Sequence, residues 1–182
     1  MIHTGFWDIE TTDLKANMGR VLVSCVKDMI SGQVISLRAD SYEWFADDVS
    51  NDKDLLIDIV KVLDNVRFLV TWNGKLFDRK FLNARCMAAG VVPPRPVFHI
   101  DLYQVWKTHC RSYGSLDAVQ RLLKTETPKT PLDWRTWQNA AALKKNALDD
   151  VETHCVADVE ALSEVYQRML HADLIKTCPK GF

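Results

Sequence analysis

The first part of the chain contains three short apolar runs that predict β-strands. The runs lie at about 3–9, 21–26 and 33–37, and their length and alternation are typical of strands. Ser31-Gly32 separates the second run from the third and is a hairpin signal. The pattern therefore predicts an antiparallel meander of three strands.

A helix and a fourth strand are predicted next. The apolar positions of the helix recur at helical spacing and are Leu55, Leu56, Ile59, Val60 and Leu63. Asn51 or Asp52 stands where an N-cap residue is needed. The fourth strand is predicted from alternating residues, namely Val66, Phe68, Val70 and Trp72.

A second helix, a fifth strand and a third helix follow in the same manner. The second helix has apolar residues at helical spacing, which are Phe77, Phe81, Ala84 and Ala88, and Gly90 is placed to end it. The short run 97–100 predicts the fifth strand. Asp101 follows this strand and is predicted to cap the next helix.

The remainder of the chain is predicted to be mainly helical. An amphipathic helix is expected from Leu116 to about Lys124, and a long final helix from about 147 to 170. The stretch 125–138 contains two prolines and two tryptophans and is predicted to be a surface loop near a ligand groove. The order of elements predicts one α/β domain over 1–182. Its mixed five-stranded sheet is expected to consist of the antiparallel meander plus two parallel strands, with helices on its faces.

Length and composition exclude several classes of protein. The chain has 182 residues, enough for one domain with a real core, and no apolar run of about 18 residues that would span a membrane. Acids near the N-terminus argue against a signal peptide. The five cysteines are odd in number and form no C-x-x-C pair, so a reducing compartment, the cytoplasm, is expected. The net charge of -1 argues against nucleic-acid binding by charge alone.

Acidic residues at three places in the chain are the candidate chemistry. Asp8 and Glu10 lie two apart near the end of the first strand, so both carboxylates project from one face. Asp78 falls in the first turn of the second helix, where the helix dipole also favours an acid. His154 and Asp158 lie one turn apart on the final helix. Each place has an ordinary structural explanation when it is considered singly. The first would be two solvated acids, the second a charge at a helix terminus, and the third a helical ion pair.

In this order, the three places resemble the motifs of the DEDD superfamily of 3′–5′ exonucleases, which has a ribonuclease H-like fold. Asp8-Ile9-Glu10 is similar to its first motif, Asn73-x-x-x-Phe77-Asp78 to its second, and His154-x-x-x-Asp158 to its third. Within the superfamily, the segments His99-Ile100-Asp101-Leu102 and Tyr113-Gly114-Ser115-Leu116-Asp117 resemble the YprB-type predicted exonucleases most. They also resemble the proofreading domains of family B polymerases.

The third motif departs from the family pattern. The superfamily has either Tyr-x-x-x-Asp or His-x-x-x-x-Asp there, whereas this chain has His154 with the spacing of the tyrosine branch. A shift of one residue on a helix rotates a side chain by about 100°. The role of general base, which the histidine branch assigns to its histidine, is therefore expected for His154 only if the tertiary structure brings the imidazole to the attacking water.

The resemblance implies two-metal-ion hydrolysis of phosphodiester bonds at 3′ ends of single-stranded DNA or RNA, with release of nucleoside 5′-monophosphates. It implies Mg²⁺ or Mn²⁺ held by Asp8, Glu10, Asp78 and Asp158, since carboxylates suit these hard ions. It implies that His154 accepts the proton of the attacking water, because an imidazole can accept a proton near neutral pH.

The resemblance also gives candidate substrate contacts, although each has an ordinary turn or core explanation. Thr11 and Leu14 would contact the terminal nucleotide, and Asn73 and Phe77 would line its pocket. Further candidates are four basic residues around the second motif that would meet phosphates, and two tryptophans that would stack on bases. The basic residues are Lys75, Arg79, Lys80 and Arg85, and the tryptophans are Trp134 and Trp137.

Two other functions remain open from the sequence. One is an endonuclease that cuts internally, as ribonuclease H or junction resolvases do. The other is a degenerate nuclease domain that binds nucleic acid without cutting it. Four retained acids argue against the second alternative, because a binding module has no need of repelling carboxylates. The sequence does not distinguish DNA from RNA, fix the oligomeric state, or decide whether a polymerase or another replication or repair partner exists.

Overall fold

One mixed sheet of five strands runs through the computed structural model, which describes residues 1–43, 48, 51–112, 114–128 and 130–175. The strands are β1 (Ile2–Thr11), β2 (Val21–Asp28), β3 (Val34–Arg38), β4 (Val66–Thr71) and β5 (Phe98–Asp101). Their order is β3-β2-β1-β4-β5. The pairs β1–β2 and β2–β3 are antiparallel, while β1–β4 and β4–β5 are parallel. The predicted α/β class and the predicted meander with two parallel strands are confirmed.

Helices cover both faces of this sheet. Those in the described residues are α1 (Lys53–Asp64), α2 (Asp78–Ala88), α3 (Leu102–His109), α4 (Leu116–Leu123), α5 (Trp134–Ala141) and α6 (Lys145–His171). The α1 and α2 side chains pack with Trp7, and the side chains of α3 to α6 pack with Phe6. Neighbouring residues on a strand face opposite ways, so these two fully buried aromatics anchor two separate cores.

The long helix α6 lies across β1 and β2. The sequence predicted its apolar stripe, and all six residues of that stripe are buried: Val151, Cys155, Val159, Leu162, Tyr166 and Met169. Arg38 at the end of β3 forms ion pairs with Asp149 and Glu152 at 2.6 and 2.7 Å. Sheet packing and this tether together place the middle of α6 above the end of β1.

Two sequence predictions are wrong in part. The second half of the predicted loop 125–138 is helical, because Asp133 accepts a hydrogen bond from the Thr136 amide and so starts α5 at Trp134. Asp52 precedes α1 as predicted but makes no side-chain cap bond. Its carboxylate instead accepts hydrogen bonds from the guanidinium of Arg85 and from the amide of Val21.

No helix among the described residues combines the length and apolarity needed to cross a bilayer.

Candidate active site

The C-terminal end of β1 carries the first two acids of the site. Asp8 lies opposite Cys25 of β2 and Glu10 lies opposite Val23. Both carboxylates are partly buried and point to the face that α6 covers. The pairing register shifts between Glu10 and Thr11, and β1 ends at Thr11, one residue after the second acid. The two carboxylates therefore lie at the C-terminal end of a strand in the sheet.

Asp78 reaches the same place from the other side of β1. It is the first residue of α2 and is only 4% exposed, and its Oδ1 accepts a hydrogen bond from the Ile9 amide at 3.3 Å. Burial raises the pKa of Asp78 to about 7, although hydrogen bonds from the Asp78 and Ile9 amides oppose the rise. The acceptor bond fixes this carboxyl between the positions of Asp8 and Glu10 along β1.

Helix α6 supplies the third place predicted from the sequence. The Nε2 atom of His154 lies 3.8 Å from Oε1 of Glu10 and 3.9 Å from Oδ2 of Asp158. These distances exceed those of direct hydrogen bonds but allow a shared water or cation between the groups. Cys155, the residue after His154, places its Sγ 3.7 Å from Oδ2 of Asp8. The structure thus brings all five predicted residues together.

Crowding and burial make this group of carboxylates electrostatically unfavourable by itself. Burial raises the pKa of Asp8 well above its ordinary value, and the charges of Glu10, Asp78 and Asp158 raise it further. Burial likewise raises the pKa of Glu10, with added effects of Asp158 and Asp78. A divalent cation would remove this penalty because it neutralises the facing charges.

The donor atoms fit such a cation. Ligand atoms of Glu10, His154 and Asp158 all lie within 4.8 Å of one another, and so do those of Asp8, Glu10 and Cys155. Most of these donors are carboxylate oxygens, which Mg²⁺ and Mn²⁺ prefer. The residues present therefore match the predicted divalent cofactor.

Thr130 is a contact of the site that the sequence did not indicate. Its Oγ1 lies 2.8 Å from Nδ1 of His154, and the ring of Trp137 contacts the imidazole edge-on with centroids 6.4 Å apart. With Nδ1 engaged by the hydroxyl, Nε2 is the nitrogen that faces the acids. Thr130 and His154 are 24 residues apart and share no motif, so only the fold could show this pairing.

A groove of about 540 Å³ opens beside Glu10 and contains most of the predicted substrate contacts. Thr11, Leu14 and Phe77 line it together with Trp134 and Trp137. Leu14 and Trp134 are 78% and 74% exposed, so their apolar surface is accessible to a ligand in the groove.

Asn73 is not part of this groove. It lines a separate cavity of about 790 Å³ with Trp72, Tyr103 and Lys107.

The basic residues near the second motif separate into two kinds. Arg79 donates to the carbonyl oxygens of Pro94 and Arg95 at 2.6 and 3.0 Å, and Arg85 is paired with Asp52, so both have structural partners. Lys75 and Lys80 are exposed. Tyr113, from one of the segments that suggested the family, lies outside the described residues, as does Cys178.

Asp101 caps α3 as predicted, because its Oδ1 accepts a hydrogen bond from the Tyr103 amide at 3.1 Å. Its carboxylate also accepts hydrogen bonds from the loop between β4 and α2, a second role that could not be predicted from the sequence.

Comparisons with known proteins agree with this fold. The family model described as the RNase H superfamily matches residues 5–170. No curated protein sequence matches the chain significantly. The family B DNA polymerase of the hyperthermophilic archaeon Pyrobaculum calidifontis is structurally similar, with a TM-score of 0.72 and 16% identity over 93% of this chain and 25% of the polymerase. A nuclease in its apo form aligns with a TM-score of 0.55 and 15% identity over 95% of this chain and 76% of that chain.

These two likenesses show a shared fold at low identity. The chain spans about a quarter of the length of the polymerase that it matches.

Proposed function

The chain belongs to the RNase H superfamily, and on that premise we propose that it is a two-metal-ion 3′–5′ exonuclease of the DEDD type. The observation that carries the proposal is the convergence of Asp8, Glu10, Asp78 and Asp158, in which burial and the charges of neighbouring acids raise the pKa of Asp8 and of Glu10. A fold maintains such an arrangement at a cost in stability, which a bound cation removes. Of the RNase H-like nucleases, the order of these acids along the chain matches the exonucleases best.

Two Mg²⁺ or Mn²⁺ ions, when bound, would activate the attacking water and neutralise charge on the scissile phosphate and its leaving oxygen. Asp8, on which the charges of all three other acids act, would serve both ions. Glu10 and Asp158 flank His154 and would hold the ion beside the water. Asp78, held by the Ile9 amide, would serve the second ion.

His154 is suited to accept the proton of the attacking water. Its Nε2 faces Glu10 and Asp158, while Nδ1 is engaged by Thr130. The imidazole therefore reaches the acids although its spacing to Asp158 is that of the tyrosine branch. Thr130 holds the ring in place, as orienting groups do for other catalytic histidines.

The groove beside Glu10 supports a single-stranded substrate. Its exposed apolar side chains, Leu14 and Trp134, offer a stacking surface to an unpaired base. Bases inside a duplex are already stacked and would not reach it. The proposed product is a nucleoside 5′-monophosphate released from a 3′ end of DNA or RNA.

A cleavage assay on matched linear and circular single strands tests this proposal. With Mg²⁺ or Mn²⁺ we expect a 5′-labelled linear oligonucleotide to shorten progressively from its 3′ end. The circular strand of the same sequence should stay intact, and EDTA should abolish the activity. The Asp8→Ala variant is the control for a contaminating nuclease.

Three results would contradict the proposal. Cleavage of the circle would make the protein an endonuclease, and binding without cleavage in either metal would make it a binding module. Full activity in chelator, or rescue by Zn²⁺ alone, would remove the two-metal mechanism.

A further inference from the structure

We infer that Asp101 is a positioning residue, whose buried carboxylate holds the loop between β4 and α2 in the shape that presents Asp78 to the acidic site. The inference rests on the proposed function where it concerns turnover. It concerns residues 72–77, which connect the end of β4 to the first residue of α2.

Three backbone amides donate to this carboxylate. Oδ1 accepts from Asn73 at 2.9 Å and from Tyr103 at 3.1 Å, and Oδ2 accepts from Lys75 at 3.1 Å. The Tyr103 bond is an ordinary helix cap. The other two cross to a loop 26 and 28 residues earlier in the chain. Since Asp101 is only 2% exposed, water cannot easily replace these bonds.

The loop needs such support because its backbone is constrained. Asn73 has φ of 62°, in the left-handed region that glycine and asparagine adopt more readily than other residues, so a tight turn begins here. A Cβ on Gly74 would lie 2.5 Å from Oγ1 of Thr71, so the chain passes too close to β4 for any side chain there. The amides of Leu76 and Phe77 both bond to the Asn73 carbonyl and close the turn.

This turn fixes where Asp78 starts α2. The Gly74 carbonyl accepts from the Arg79 amide at 2.9 Å, so the loop and the first helical turn are joined on both sides of Asp78. Asp101 contacts the loop at Asn73 and Lys75, five and three residues before that acid. Releasing these two amides therefore lets the Asp78 carboxyl move relative to β1.

A carboxylate at position 101 differs from a neutral side chain in both hydrogen bonding and charge. A neutral asparagine offers one acceptor oxygen, whereas three amides are distributed over both oxygens of Asp101. The carboxylate places a negative charge near Asp78, which is unfavourable in a structural role alone. The two neighbouring negative charges of Asp78 and Asp101 are favourable where a cation binds to Asp78.

Two substitutions separate this role from helix capping. Asp101→Asn keeps one oxygen for the Asn73 and Tyr103 amides but turns an NH₂ group toward the Lys75 amide. Asp101→Ser keeps a good N-cap for α3 but is too short to hold the loop. The matched control is Asp133→Asn, because Asp133 is the N-cap of α5 and, within the described part of the chain, its side chain bonds to Thr136 of the same helical turn.

For both Asp101 variants we expect kcat per folded molecule to fall roughly 10- to 100-fold, as for other residues that orient a metal ligand, with KM for a linear oligonucleotide nearly unchanged. Mn²⁺ affinity, measured by titration calorimetry, should fall as well. Amide hydrogen exchange should show lost protection at Asn73 and Lys75. Asp133→Asn should retain all three properties.

The inference is overturned if both Asp101 variants match Asp133→Asn in kcat per folded molecule and in Mn²⁺ affinity. Protected amides at Asn73 and Lys75 in Asp101→Ser would overturn it equally. If the wild type proves to have no nuclease activity, the proposed function fails. The Mn²⁺ titration and the amide exchange then still decide whether Asp101 positions the loop.

Discussion

Replacing Asp78 by asparagine should stabilise the metal-free protein at alkaline pH and leave its stability nearly unchanged at acid pH. Asparagine has the shape of aspartate and keeps an oxygen for the Ile9 amide, which donates to Oδ1 of Asp78 at 3.3 Å. The variant therefore removes the charge and little else. It tests directly whether the acidic site is held at a cost in stability.

The size of the effect follows from the pKa of Asp78, which burial raises from 3.8 to about 7. A difference of that size corresponds to a cost on the order of 4 kcal/mol for ionising Asp78 in the folded state. Between these two pH values the folded protein binds more protons than the unfolded chain, so stability falls as the pH rises. The penalty is complete above about pH 7.

Urea denaturation in EDTA at a series of pH values between 4 and 8 measures the effect. The quantity to compare is the free energy of unfolding of Asp78→Asn minus that of the wild type. We expect this difference to grow toward the alkaline end by an amount on the order of 4 kcal/mol. Asp150→Asn is the control, because Asp150 is an exposed acid on α6 and is not one of the proposed metal ligands.

Adding Mg²⁺ at pH 8 should narrow the stability difference between the two proteins. The wild type gains stability because the ion binds only the folded state, by about 2.7 kcal/mol at a concentration one hundred times Kd. The variant, which lacks one ligand, should gain less. A stability difference that is flat from pH 4 to 8, or that matches Asp150→Asn, would refute the reasoning.

Four further predictions concern the site and the fold that supports it. Asp8→Ala should abolish cleavage yet leave the metal-free protein as stable as the wild type or slightly more stable in urea, and a near-normal rate would remove Asp8 from the site. His154→Ala should lower kcat roughly 10²- to 10⁴-fold with Mn²⁺ binding nearly unchanged. Thr130→Val should lower kcat by a smaller factor than His154→Ala, whereas Thr130→Ser, which keeps the hydroxyl, should have a rate near that of the wild type. Equal rates for the two Thr130 variants would show that the hydroxyl does not orient the ring. Arg85→Met should cost about 3–5 kcal/mol in thermal or urea unfolding because it leaves a buried carboxylate unpaired, whereas Lys61→Met, in an exposed pair, should cost less than about 1 kcal/mol.

The local pattern of the chain determined most of its secondary structure. Strand alternation gave β1 to β5, and helical spacing gave the buried stripe of α6, because both signals come from which side chains must leave water. Pattern failed between 125 and 138. There the prolines and tryptophans obscured the cap that Asp133 provides for α5.

The acids of the candidate site could also be predicted from the sequence, since their spacing relative to strand and helix ends is a local property. Asp8 and Glu10 share a face of one strand, and His154 and Asp158 share a face of one helix. What these residues do together could not be derived from either element alone. Their roles as metal ligands and as base remain predictions.

The tertiary structure alone decided which groups meet. It placed Nε2 of His154 3.8 Å from Glu10, although the motif spacing had left the reach of this ring open. It paired Thr130 with the other imidazole nitrogen and joined Asp101 to a loop 26 to 28 residues away. It also paired the Asp52 carboxylate with Arg85, whereas the sequence had suggested that Asp52 could cap α1. The physical reason is that burial and hydrogen bonding between distant segments depend on how the sheet and helices pack, whereas periodicity records only which side of each element faces the core.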